Sequence, residues 1–224
     1  MKPLIIINFK SYKEAQGAKA VKLAEECAAA GGKADVIVVP ALHDLAMVSN
    51  SVKIRVFSPH IDIAEHGAYT GHVTAAGLCA AGVRGALVNH SERAVSRKHV
   101  VEAVDVCKRY GLVSVVCAPT LKAVKNVLKD CEPDFIAYEP PELIGGDVSV
   151  TSASQDIIKS AAVMVKKSGR RTKLLCGAGV KTGEDVSVAL RLGAVGVLVA
   201  SGVVKAKKPA DAVRNLVSGT DKSI

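Results

Sequence analysis

The sequence predicts an α/β protein: one domain, residues 1–224, closed into a (β/α)8 barrel. Three observations predict it. Eight short runs rich in Val, Ile and Leu recur along the chain, each too short for an ordinary helix and suited to a strand buried on both faces. Helical patterns fill most of the intervals, and eight strand-then-helix units in series suit a closed barrel better than an open doubly wound sheet. No linker or shift in composition divides the chain; only the tail, 218–224, reads as frayed.

The first run is Leu4–Asn8. Apolar residues at Ala15, Ala18, Val21, Leu23 and Ala24 then predict one helix over Glu14–Ala30. Runs two to four are Asp35–Val39, Ile54–Ser58 and Ala86–Asn89. A helix over Lys98–Tyr110 carries Val100, Val101, Val104 and Cys107, with Gly111 as its stop. The third and fourth crossovers read as short, with helices cut to a turn or two. Val113–Ala118 and Phe135–Glu139 are the fifth and sixth strands. Ser152–Lys167 opens on a serine and repeats Ile157, Ile158, Ala161 and Val165. Strand Lys173–Cys176 precedes a helix over Gly183–Leu192 that ends at Gly193. The last strand is Val195–Ala200, and the last helix, Pro209–Val217, has a proline near its first turn.

Composition narrows the function. Hydrophobic residues make up 49% of the chain but aromatics only 3%, so Val, Ala, Leu and Ile must build the core. Thirty Lys and Arg against 21 Asp and Glu give a net charge of +9, which favours anionic ligands. Basic residues do not alternate with aromatics, so a nucleic-acid platform is not supported. The six cysteines form no CxxC pair, sit mostly in apolar contexts, and read as buried free thiols of a reducing cytosol. The opening MKPLIIINFK has too short an apolar run for a signal peptide, and no stretch approaches the ~20 apolar residues of a membrane span. The expectation is a soluble, cytoplasmic protein with no membrane or nucleic-acid partner.

In such a barrel, chemistry gathers where strands end and βα loops begin. Polar residues and glycines do cluster there. Strand one ends in Asn8-Phe9-Lys10, strand four in Asn89-His90-Ser91-Glu92-Arg93, and strand six in Glu139. Strands seven and eight end in Cys176-Gly177-Ala178-Gly179 and in Ala200-Ser201-Gly202. NFK, then NHSER, then AYEPPELIG, in that order and at those strand ends, resembles the triosephosphate isomerase family. The short chain, the paired prolines and VLVASGVVKA resemble its archaeal branch. The resemblance covers nearly the whole chain, and the three motifs together are highly specific.

The resemblance implies a TIM barrel that interconverts dihydroxyacetone phosphate and D-glyceraldehyde 3-phosphate through an enediolate, in glycolysis and gluconeogenesis, without cofactor or metal. It implies Glu139 as base; burial suits that role, because desolvation raises a carboxylate's pKa. His90 matches the electrophile, a neutral imidazole that donates to a substrate oxygen, with the helix begun by Ser91-Glu92 disfavouring the cation. The family is itself a standard example of such pKa tuning and of a closing lid. Lys10 matches the cation that stabilises developing negative charge, Asn8 orients substrate, and Glu92 pairs with the lysine. Substrate contacts are implied for Asn8, Phe9 and Lys10, and for a phosphate cradle of Ile144, Gly145, Gly179, Ala200 and Ser201. Glycine lets backbone N–H groups approach such an anion closely.

The segment after Glu139 matches the family's lid. Pro140-Pro141 form one hinge, Leu143-Ile144 the tip and Gly145-Gly146 the other hinge; a closed lid keeps water from the enediolate. Asp147 stands where a small neutral residue is more usual. GAYTG, Gly67–Gly71, resembles a loop that enters a neighbouring subunit, so a homo-oligomer, dimer or tetramer, is implied. Two rival readings are an aldolase or amino-sugar isomerase on the same barrel, and a non-catalytic RNA binder using the +9 charge.

Overall fold

The computed structural model describes residues 2–141, 149 and 155–221. Eight parallel strands close into a barrel, with β1 (Leu4–Asn8) joining β8 (Gly196–Val199) through Leu4 opposite Gly196. Between them run β2 (Asp35–Val39), β3 (Arg55–Ser58), β4 (Gly85–Val88), β5 (Val113–Ala118), β6 (Phe135–Tyr138) and β7 (Lys173–Cys176). Each strand falls within a residue of its predicted run, as near-continuous β-branched and aliphatic stretches require of strands buried on both faces.

The helices depart from expectation in three places. The first does not run unbroken from residue 14: a 3-10 turn, Lys13–Ala15, is followed by Gly17 at φ 59° and then by Ala18–Ala30. The break is fastened by Asp44, whose two carboxylate oxygens accept from the Gly17 N–H at 3.2 and 3.1 Å. The third crossover helix is reduced, to Ala75–Ala80, but the fourth is not: Arg97–Arg109 spans 13 residues, capped by Ser96. Leu45–Ser51, Leu121–Asp130 and Ser201–Val204 were not anticipated. Leu121–Asp130 starts where the Thr120 side chain accepts from the Ala123 N–H, a serviceable N-cap. Gln155–Lys167, Gly183–Arg191 and Pro209–Ser218 complete the described helices. None of them is long and apolar enough to cross a membrane.

Strand periodicity splits the core into two layers. Leu4, Ile6, Ile37, Phe57, Leu87, Val115, Cys117, Phe135, Ala137, Leu175 and Leu198 fill the barrel. Ile5, Ile7, Val36, Val38, Ala86, Val88, Ile136 and Val197 face outward onto the helices. All six cysteines are free; Cys27, Cys107, Cys117 and Cys176 are buried, Cys79 and Cys131 partly so. Extending the inward series past each strand's end brings Asn8, Glu139, Gly177 and Ala200 to one mouth of the barrel.

Candidate active site

A cleft of about 640 Å³ occupies that mouth, lined among others by Asn8, Lys10, Tyr12, His90, Glu92, Glu139, Gly179, Ala200 and Ser201. A larger groove lies outside the barrel, where Lys125, Leu128, Lys129, Lys159, Met164 and Arg170 line it. It brings together none of the polar strand ends.

Glu139 follows Ala137 on the inward face of β6 and is only 5% exposed. Burial pushes its pKa from 4.5 up to about 7, against the downward pull of the Cys117 thiol, which hydrogen-bonds it, and of the Lys10 cation; Glu92 adds to the rise. The carboxylate fits only because residue 177 lacks a side chain. A Cβ there would lie 2.5 Å from Glu139 Cγ.

His90 reaches the cleft by a different route. Alternation along β4 puts Ala86 and Val88 outside, and would put residue 90 outside with them. Asn89 prevents this. It adopts a left-handed backbone, φ 62°, which asparagine tolerates better than most residues. Its side chain is held outside the barrel, donating to the Cys117 carbonyl at 3.0 Å and accepting from the Val95 N–H at 3.0 Å. The chain turns there, and His90 enters the cleft. The Glu92 N–H donates to Nδ1 of His90 at 3.2 Å, which leaves the proton on Nε2. That Nε2 lies 3.7 Å from Glu139 Oε1. It also approaches Asn8 Nδ2 at 3.4 Å, a contact between two donors.

The His90 pKa is lowered, first by burial and then by Lys10, against the opposing effect of Glu92. The expectation of a neutral imidazole therefore rests on burial more than on a helix dipole. Only a three-residue 3-10 turn, Ser91–Arg93, follows His90, and the long helix begins at Arg97.

Lys10 is the other residue besides glycine with left-handed backbone among the described residues, φ 51°. The Asn8 side chain accepts from its N–H at 2.9 Å, which fixes that turn. Lys10 Nζ then meets Glu92 Oε1 at 2.7 Å. Such sparsely populated backbone gathers at functional sites, where the surrounding structure holds it.

The same cleft holds a site suited to an anion. Ser201–Val204 starts at Ala200, and the first N–H groups of a helix have no acceptor within it. Gly179, at φ 71°, lines the same cleft, as does Gly202, where an added Cβ would meet open space. Behind them, Thr182 and Asp185 form a capping box that starts Gly183–Arg191.

Comparison with known proteins matches this arrangement to one family. Residues 3–217 match the family model described as triosephosphate isomerase. The chain belongs to the triosephosphate isomerase family. A protein named triosephosphate isomerase from Methanocaldococcus jannaschii is 40% identical over 217 residues, covering 96% of this chain and 98% of its own. Those of Methanosarcina acetivorans and Methanobrevibacter smithii are 38% and 36% identical, each covering 96% of this chain, and 97% and 98% of their own. The chain is thus an isomerase, and its similarity to proteins of methanogenic archaea agrees with the branch its motifs resemble.

Within this family frame, Asn8, Lys10, His90, Glu92, Glu139, Gly179, Ala200 and Ser201 all line one cleft. Phe9 does not join them. It follows Ile5 and Ile7 on the outward face of β1 and is fully buried in the outer layer, so strand alternation makes it a packing residue. Ile144 and Gly145, with the rest of 142–148 including Asp147, lie outside the described residues. Tyr12, Lys181 and Cys117 were not anticipated, and Gly177 was named only as part of a strand end, not for the room it leaves Glu139. Tyr12 stood in the loop after β1, beside a named motif, and was findable. Cys117 and Gly177 matter through what lies across the strand from them, which no local pattern carries.

Proposed function

We propose that this chain interconverts dihydroxyacetone phosphate and D-glyceraldehyde 3-phosphate by proton transfer, with Glu139 as base and His90 as electrophile. One observation carries the reading. Glu139 Oε1 and His90 Nε2 lie 3.7 Å apart in a cleft where both are buried, one with its pKa raised and the other with its pKa lowered. Glu139 takes a proton from the carbon next to the carbonyl. Nε2–H of His90 donates to the oxygen that gains charge, and Lys10, anchored by Glu92, stabilises the enediolate electrostatically. Passage of the hydroxyl proton from one oxygen to the other, beside the His90 imidazole, and return of the carbon proton to the neighbouring carbon complete the reaction. Hydrogen moves within one molecule, so no external oxidant or reductant enters. Gly179, Ala200 and Ser201 hold the phosphate, supported by their place in the lining of the same cleft.

The role in glycolysis and gluconeogenesis, and a cytoplasmic setting, follow from the reaction and from the free thiols. The chain acts as a homo-oligomer, dimer or tetramer. Support comes from Gly67–Gly71, where every residue is exposed and Tyr69 is 46% exposed. Charged residues at 69 and 70 should yield a dissociated, weakly active species; a fully active monomer in sedimentation defeats this part of the reading.

A coupled assay starting from glyceraldehyde 3-phosphate tests the reaction. Turnover that Glu139→Gln cuts by about 10²–10⁴-fold, with phosphate-analogue binding retained, supports it. Wild-type turnover in Glu139→Gln overturns it. An aldolase is disfavoured because Lys10 is engaged by Glu92 at 2.7 Å instead of standing free for a carbonyl carbon. Borohydride should trap no lysine adduct.

A further inference from the structure

His60 and His99 are 39 positions apart in sequence, and the fold brings them together beside β3. His60 is 4% exposed and lies just beyond the end of β3; His99 sits in the first turn of Arg97–Arg109. Their rings stack at 5.7 Å with an interplanar angle of 22°. Asp62 joins them, and one ligand atom from each of the three lies within 4.8 Å of the others. His60 Nε2 meets Asp62 Oδ1 at 3.0 Å, and His99 Nε2 meets the Ile61 carbonyl at 3.0 Å. Both imidazoles therefore aim their Nε2 atoms at the two-residue segment 61–62. Among the described residues, no other group of three His, Cys, Asp or Glu is so placed.

We propose that His60, Asp62 and His99 form a structural site for a divalent transition-metal ion of the zinc type, with the Ile61 carbonyl as fourth donor. Two imidazoles and a carboxylate are a borderline donor set that suits zinc or cobalt better than magnesium or calcium. Zinc bond lengths of ~2.0–2.2 Å put neighbouring donors of a tetrahedral site roughly 3.3–3.5 Å apart. The 3.0 Å contacts open slightly to admit the ion, and the widest pair closes by about 1 Å. Without metal, each Nε2 carries a proton for its hydrogen bond. On binding, that proton passes through solvent to Nδ1, so both rings remain neutral and no net proton is released.

The protonation states are suitable. Burial lowers the His60 pKa, so the ring is neutral at neutral pH. Asp62 stays ionised; burial opposes its charge, but the Val73 N–H and His60 outweigh that, and its pKa is lowered. Arg93 is near enough to His60 to disfavour added positive charge there, which argues for moderate affinity. Asp62 also closes the base of a loop: its Oδ2 accepts from the Val73 N–H at 2.8 Å, and its own N–H donates to the Val73 carbonyl at 2.9 Å. A metal would thus fasten the base of the loop bearing Gly67–Gly71 to Arg97–Arg109.

The test is titration of chelator-treated full-length protein with zinc by calorimetry and with cobalt by visible absorption. One equivalent per chain is expected, with a tetrahedral cobalt spectrum and a raised Tm. His99→Gln can still donate to the Ile61 carbonyl, and Asp62→Asn can still accept from Val73, so both should fold and turn over normally without metal. Each should weaken binding by at least the roughly 10–100-fold that losing even a supporting group costs a metal site. Absence of saturable binding at one equivalent overturns the proposal. So does undiminished binding by both variants, which would place the ion on another histidine.

Discussion

Gly85 and Gly177 stand at opposite ends of the barrel and make room in the same way. A Cβ on Gly85, where β4 begins, would lie 2.7 Å from the Phe57 ring and 2.6 Å from the Val113 carbonyl. A Cβ on Gly177, just past β7, would lie 2.5 Å from Glu139 Cγ. Neither backbone is left-handed, so both positions use glycine for space and not for torsion. At one end the space is filled by an aromatic ring, which stabilises the fold by burial. At the other it is filled by a carboxylate, which burial disfavours in its charged form. One sheet device therefore serves stability at the bottom and reactivity at the top.

The comparison breaks most sharply at Glu139. Replacing it with Gln should cut kcat by about 10²–10⁴-fold, the usual worth of a positioned base. Glu139→Asp keeps the charge but withdraws it by roughly 1 Å, and should lose on the order of 100-fold. That loss should fall in kcat and not in KM, because the phosphate contacts persist. Steady-state kinetics on both variants decides this; near wild-type turnover by either would place the base elsewhere. Gly177→Ala should approach but not exceed the Asp variant, up to about 100-fold in kcat, because its methyl displaces the same carboxylate.

The pH dependence follows the same carboxylate. With a folded pKa of about 7, Glu139 loses its basic form as pH falls through that value, so kcat/KM should show an acid limb there. A limb near 4.5 would contradict it. Stability runs the other way. The folded state holds this proton where the unfolded chain has lost it, so stability falls as pH rises from 4.5 to about 7. Glu139→Gln should then be the more stable protein at pH 8, by roughly 3 kcal/mol, as denaturant titration would show. His90 contributes with opposite sign: its lowered pKa makes stability fall as pH drops below about 6.5. The smallest effect on activity is expected at Gly85. Gly85→Ala should lose about 1–3 kcal/mol by overpacking and leave kcat unchanged; a large kcat loss would show that the two ends are coupled.

Strands were legible because a parallel barrel buries both faces of each one, and every described strand matches its apolar run. Helices were less so. Gly17 sat within an acceptable apolar pattern, and only Asp44, on a later turn, shows why the helix starts after it. Asn8 and Glu139 were legible twice, from motif and from alternation. His90 was legible from motif alone, since alternation pointed it outward. Phe9 was misplaced because its motif neighbours outweighed its parity. The His60, Asp62 and His99 cluster left no mark in the sequence, because a contact between the end of β3 and a helix after β4 has no local spacing.

Asn89 has a consequence for how relatives are read. Its left-handed backbone is the reason the next side chain lies inside the barrel. Valine in its place is β-branched and resists that torsion, so the chain would run straight on and carry the imidazole to the helix side. A lineage making that change would still spell histidine at position 90. An aligned column would score the proposed electrophile as present, while the cleft had lost it. In this fold the residue to check before trusting the catalytic letter is the one written just before it.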